Sequence, residues 1–87
     1  MLSEVLRLLR ITQDLSIKEL SQKMKTSPSY ISEIERGVKK PSLKMLDRYS
    51  KVMGIDKSTI LYFQEVKEKH GYEYQKMLIH MLKKIAN

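Results

Sequence analysis

Two helix-start signals stand eleven residues apart in the first half of the chain, and they leave little freedom for what lies between them and after them. Ser16 with Glu19 three residues later is a capping-box pattern. In it, a hydroxyl and a carboxylate each satisfy a backbone N–H that the first turn of a helix leaves free. Ser27 followed by Pro28 is the second signal. Ser is a good N-cap, and Pro suits the first helical position, where its missing N–H costs nothing. Gly37 then supplies a stop. The stretch 15–37, LSIKELSQKMKTSPSYISEIERG, reads as two short helices, about 16–24 and 28–36, joined by the tight turn Lys25-Thr26-Ser27.

Periodicity sorts the faces of both helices. In the first, Leu20 and Met24 face inward, Ile17 joins them, and the small Ser21 lets another helix come close. In the second, Ile31 and Ile34 face inward while Ser29, Ser32, Glu33 and Arg36 share the opposite face; Tyr30 and Glu35 lie on the flanks. A surface helix normally shows long charged side chains. Small hydroxyls at the first exposed positions instead let the backbone approach another molecule closely. A helix of this kind, set across a tight turn from its predecessor, is suited to entering a DNA major groove.

The rest of the chain is helical as well. Leu2, Val5, Leu6 and Leu9 define a helix over about 2–13, closed by Asp14, a residue that tolerates the left-handed conformation. Val38-Lys39-Lys40-Pro41 is a basic loop. Ser42 caps a fourth helix reaching Met53, with Leu43, Leu46, Tyr49, Val52 and Met53 on or near its inner face, and Gly54 ends it. Asp56 or Ser58 caps a fifth helix with Ile60, Leu61, Phe63 and Val66 as its apolar face, ending near 70–71. Over 72–86, Tyr74, Leu78, Met81 and Ile85 recur at spacings of four, three and four, the seam of a short coiled coil that Met77 and Leu82 widen. No segment alternates long enough for a strand. The expected class is all-α: a compact five-helix domain over 1–61 and a C-terminal extension over 62–87, about six helices in total.

Bulk properties narrow the function. Eighty-seven residues make one small domain with a marginal core, for which burial in an oligomer is a natural supplement. There is no Cys, hence no disulfide framework and no thiolate metal site, and no apolar run spans a membrane or follows a basic start as in a signal peptide. These features fit a cytoplasmic location. Seventeen Lys and Arg against ten Asp and Glu leave a net charge of +7. The excess is uneven: residues 25–51 hold seven basic and three acidic side chains. A basic field on one segment suits a polyanion such as the phosphates of nucleic acid, though a solvated basic surface has the same composition.

At this point the residues resemble a family. Leu9-Arg10, Leu15-Ser16, Lys18-Glu19-Leu20, Ser29-Tyr30-Ile31-Ser32, Ile34-Glu35-Arg36-Gly37, Pro41-Ser42-Leu43 and Met53-Gly54-Ile55 stand in the order and spacing of the phage-repressor-like (Cro/CI, XRE-type) helix-turn-helix regulators. The resemblance covers about 2–61. It implies a bundle of four or five helices whose second and third helices dock on DNA, usually as a dimer on a near-palindromic operator. It also implies that Arg10 pairs with Glu35 as a structural ion pair. The chain departs from the family in three places. Lys25 stands where the turn usually has Gly, at a strain of about 1 kcal/mol if left-handed. Ile17 and Pro28 stand where the well-known phage repressors have Gln, so amide contacts made there have no counterpart.

The chemistry available for reading DNA is correspondingly narrow. Bidentate recognition of adenine needs Asn or Gln, and the third helix has neither. It offers the hydroxyls of Thr26, Ser29 and Ser32, the Tyr30 ring or hydroxyl, the Glu33 carboxylate for a cytosine amine, and the Arg36 guanidinium. Pro28 and the Thr26 methyl can touch thymine methyls. Lys18, Lys39, Lys40 and the helix N-termini are expected on phosphates, and Ser27 acts as a cap first and a phosphate contact second. Bland alternatives stay open: surface serines at 29 and 32, a solvated acid at 33, a Tyr30 that packs on the preceding helix.

His70 and His80 lie on different helices without a third ligand, so no metal site and no cofactor are expected. No phosphate-cradling loop or nucleophile–base signature is present, so no enzyme is expected. The expected function is a sequence-specific, double-stranded-DNA-binding transcription regulator, most simply a repressor, dimerising through Tyr74, Leu78, Met81, Leu82 and Ile85. The same seam can instead pack on its own bundle. The alternative is an antitoxin or protein-interaction module that grips a protein partner through its C-terminal helices.

Overall fold

The structure is a computed structural model and describes residues 2–70 together with Lys76 and His80. Its first helix, α1 (Leu2–Thr12), buries Val5, Leu6 and Leu9 completely. Each such side chain contributes about 1.5–3 kcal/mol on leaving water. The helix ends at Asp14 in the left-handed conformation (φ 56°), and the Leu15 N–H returns to the Arg10 carbonyl at 3.2 Å.

The two short helices follow as α2 (Ile17–Met24) and α3 (Pro28–Glu35). The capping box at α2 is complete: the Glu19 N–H donates to Ser16 Oγ at 3.0 Å, and the Ser16 N–H donates to Glu19 Oε1 at 3.1 Å. The bond from the Ser16 N–H, helped by the Ser16 hydroxyl, holds the Glu19 carboxyl below the usual carboxylate range. Ser27 caps α3, its Oγ accepting from the Tyr30 N–H at 3.1 Å, with Pro28 at the first helical position.

Between them Lys25 is left-handed (φ 56°, ψ 47°), and the Thr26 N–H donates to the Ser21 carbonyl at 3.0 Å. This is the closure that Gly ordinarily provides. Ser21 is buried, and its hydroxyl is satisfied by donating to the Lys18 carbonyl at 2.7 Å.

Helix α4 (Leu43–Met53) starts at the Ser42 cap and ends at left-handed Gly54; α5 (Lys57–His70) closes the bundle. Among the described residues all five elements are helical. Helix α1 packs on α3 and α5, α2 on α3 and α4, and α4 on α5. One core runs through the bundle, with Leu20, Met24, Ile31, Ile34, Tyr49, Ile60 and Phe63 essentially without exposure. Gln13 Nε2 ties the end of α1 to the Met53 carbonyl at 2.9 Å, and Lys57 pairs with Asp47 across α4 and α5.

Two expectations for the core are corrected. Leu43 is 79 % exposed: it lies about 100° round the helix from the centre of the buried strip of Met45, Leu46, Tyr49 and Met53. Leu61 is 48 % exposed because Ile60, Phe63 and Val66 follow a three-residue step, and a residue directly after Ile60 is rotated by about 100° from that strip. The division at residue 61 falls inside α5, and Phe63 and Val66 beyond it belong to the same core. The sixth helix and its seam of Tyr74, Leu78, Met81, Leu82 and Ile85 lie outside the described residues.

Candidate nucleic-acid interface

The outer face of α3 is open along its length. Pro28 and Ser29 are exposed at its start, Ser32 and Glu33 are half-buried, and Arg36 is exposed at its C-cap. Together with Ile17 and Val38, these residues line one shallow depression. Five of the expected contact residues (Pro28, Ser29, Ser32, Glu33 and Arg36) therefore share one surface. Ile17, at the start of α2, and Val38, in the loop after α3, form its walls. Val38 is 62 % exposed, an apolar group presented beside a polar strip.

Tyr30 is turned differently. It is half-buried and packs against the core, with the Lys39 ammonium 5.9 Å from its ring centre. Thr26 is half-buried in the turn, and Ser27 spends its hydroxyl on the cap. Lys18 is exposed on α2 and Lys40 on the loop. Lys39 is engaged within the molecule, 3.4 Å from the Glu33 carboxylate.

The α3 axis is anchored by Arg10. Arg10 Nε donates to Glu35 Oε2 at 2.7 Å, Nη2 to Glu35 Oε1 at 3.0 Å, and Nη1 to the Leu15 carbonyl at 2.8 Å. The two side chains keep 13 % and 4 % of their exposure. One guanidinium thus joins α1, the α1–α2 turn and the last turn of α3. Its bond to Glu35 raises the Arg10 pKa further, outweighing burial.

A second clamp has no local signal in the sequence. Arg48 Nη1 on α4 donates to the Met24 carbonyl at 3.2 Å, next to left-handed Lys25. The Lys39–Glu33 pair was missed as well, although two opposite charges six residues apart across a Gly stop hint at it. Among the described residues no group of three or more His, Cys, Asp or Glu could hold a metal ion.

The family described as Helix-turn-helix matches residues 6–60, and the chain belongs to that family, in its XRE type. Among curated proteins it is similar to the transcriptional regulator ClgR of Mycobacterium tuberculosis (strains CDC 1551 and H37Rv), at 36 % identity over 58 residues. That match takes in 67 % of this chain and 52 % of ClgR, so the chain spans about half the length of the curated relatives it matches. Among solved structures it is similar to the clp gene regulator ClgR from C. glutamicum, with a TM-score of 0.69 and 28 % identity over 82 % of this chain and 90 % of that one. It is also similar to SinR, a master regulator for biofilm formation solved in complex with DNA. There the TM-score is 0.66 and the identity 31 %, over 70 % of this chain and 98 % of that one.

Proposed function

We propose that the chain is a sequence-specific, double-stranded-DNA-binding transcription regulator that acts as a homodimer on a near-palindromic operator, as a repressor in the cytoplasm. The observation that carries this reading is the open strip of Ser29, Ser32, Glu33 and Arg36, on a helix held from behind by the Arg10–Glu35 pair. Family membership supports it, as does the likeness to a protein solved on DNA. The absence of an Asn or Gln on α3 shapes the chemistry. Arg36 reads guanine, the Ser hydroxyls read either base edge, the Pro28 ring meets thymine methyls, and DNA shape supplies the rest.

Lys18, Lys40 and the capped N-termini of α2 and α3 hold phosphates and set the register. Tyr74, Leu78, Met81, Leu82 and Ile85 join two copies, placing two α3 helices about one helical turn apart. Selection from random duplex DNA tests the function directly. A near-palindromic consensus is expected; recovery of unrelated sequences refutes the reading.

A second reading takes α5 and the residues after it as a surface for another protein, as in an antitoxin with autoregulatory DNA binding. The exposed Leu61 and Tyr62 favour it, at 48 % and 53 %. The mass of the purified chain in solution separates the two: a stable dimer supports the first, a monomer that needs a partner the second.

A further inference from the structure

The loop after α3 is folded back onto the helix it leaves. Gly37 is left-handed (φ 76°) and its N–H donates to the Ile34 carbonyl at 3.1 Å. The N–H groups of Val38 and Lys39 then both donate to the Glu33 carbonyl, at 2.9 and 3.2 Å. These three bonds set the Lys39 backbone beside the open face of α3. From there its ammonium reaches the Glu33 carboxylate at 3.4 Å and lies 5.9 Å from the Tyr30 ring centre. The Glu33 side chain retains only 27 % of its exposure, against 55 % for Lys39.

A lone carboxylate on a groove-entering helix is repelled by phosphates on both sides of the groove. Glu33 lies between Ser29 and Arg36 on the strip that faces outward, so this repulsion falls on the face that would dock. The pairing with Lys39 removes the net charge without using up the acceptor. A carboxylate has two oxygens and about four lone-pair sites, and the ammonium approaches Oε2. In the major groove, the donor that suits a carboxylate is the exocyclic amine of cytosine.

We propose that Glu33 reads cytosine and that Lys39 is its positioning residue, holding the carboxylate to the α3 face and cancelling its repulsion, rather than a simple phosphate clamp. This rests on the DNA-binding reading above and refines one residue of it. Lys40, exposed on the same loop and outside this pair, is the clamp. Lys39 therefore affects which base is chosen, whereas Lys40 affects only how tightly any duplex is held.

The test uses the full chain and the consensus duplex from selection, with each base pair varied in turn. Wild type is expected to prefer cytosine at one position of the half-site by roughly 5- to 100-fold. Glu33→Gln should flatten or redirect that preference, since an amide reads adenine. Lys39→Gln should flatten the same position, Lys39→Arg should restore it, and Lys40→Gln should weaken every duplex by one common factor with the preference kept. In the double variant, Lys39→Gln should add only a common factor to Glu33→Gln.

A Lys39→Gln protein that behaves like Lys40→Gln overturns the proposal, as does a Glu33→Gln protein with an unchanged consensus. Either result leaves the DNA-binding reading standing. A wild-type chain without any base preference overturns both.

Discussion

Arg10 and Glu35, 25 residues apart in sequence, face each other through two parallel hydrogen bonds of 2.7 and 3.0 Å at the last turn of α3. The fork of a guanidinium matches a carboxylate in direction as well as charge, so the pair fixes an angle and not merely a distance. Because the third donor of Arg10 closes on the Leu15 carbonyl, the entry to α2 and the exit of α3 are set by one side chain.

Removing one partner leaves the other nearly dry and unmatched, which costs about 3–5 kcal/mol in buried pairs. Both Arg10→Met and Glu35→Gln are expected to lower stability in urea unfolding toward that range. The double variant should lose less than the two losses added. Additive losses would show that the pair is not coupled.

Lys25 carries a backbone that Gly adopts at no steric cost. Left-handed strain is about 1–2 kcal/mol, partly offset by the freedom that Gly regains when unfolded. Lys25→Gly should therefore raise stability by about 0.5–1 kcal/mol, read as a higher urea midpoint at an unchanged slope. Lys25→Val should do the opposite, since a branched side chain crowds the same conformation.

Tyr49 is fully buried, and its hydroxyl has no hydrogen-bond partner among the described residues. Burial, reinforced by the nearby Glu35 carboxylate, pushes its pKa well above the ordinary 10.0. The unfolded chain thus releases this proton at a lower pH than the folded one. The contribution to stability is full below pH 10.0 and declines as pH rises through it. Tyr49→Phe should raise stability by about 1 kcal/mol at neutral pH, by removing the unmatched hydroxyl. It should also flatten the alkaline loss. A variant that is less stable at neutral pH would mean that the hydroxyl is satisfied.

On the open face, Arg36→Ala and Ser29→Ala should abolish specific retardation of a consensus duplex while binding to random DNA persists. Lys40→Ala should weaken both alike and reduce the slope of log affinity against log salt by about one. Retained specificity in Arg36→Ala would place base reading elsewhere on the surface.

Much of this protein follows from its sequence because the determining interactions are local. The caps at Ser16, Ser27 and Ser42 and the stops at Asp14, Gly37 and Gly54 act within one helical turn of the residues they serve, so their positions could be read directly. Helical spacing likewise marked Val5, Leu6, Leu9, Ile31 and Ile34 as core and the Ser29–Ser32–Arg36 strip as open. Spacing alone places Leu43 and Leu61 with the core, yet both are exposed, because whether an apolar side chain near the edge of a helical wheel is buried depends on which helix packs beside it.

Only the assembled bundle decided the rest. The Arg48 clamp on the Met24 carbonyl joins residues 24 apart, and the Lys39–Glu33–Tyr30 contact depends on a loop folding back through Gly37. Such contacts arise from the relative placement of helices, which sums packing over the whole core. No single stretch of sequence carries that information.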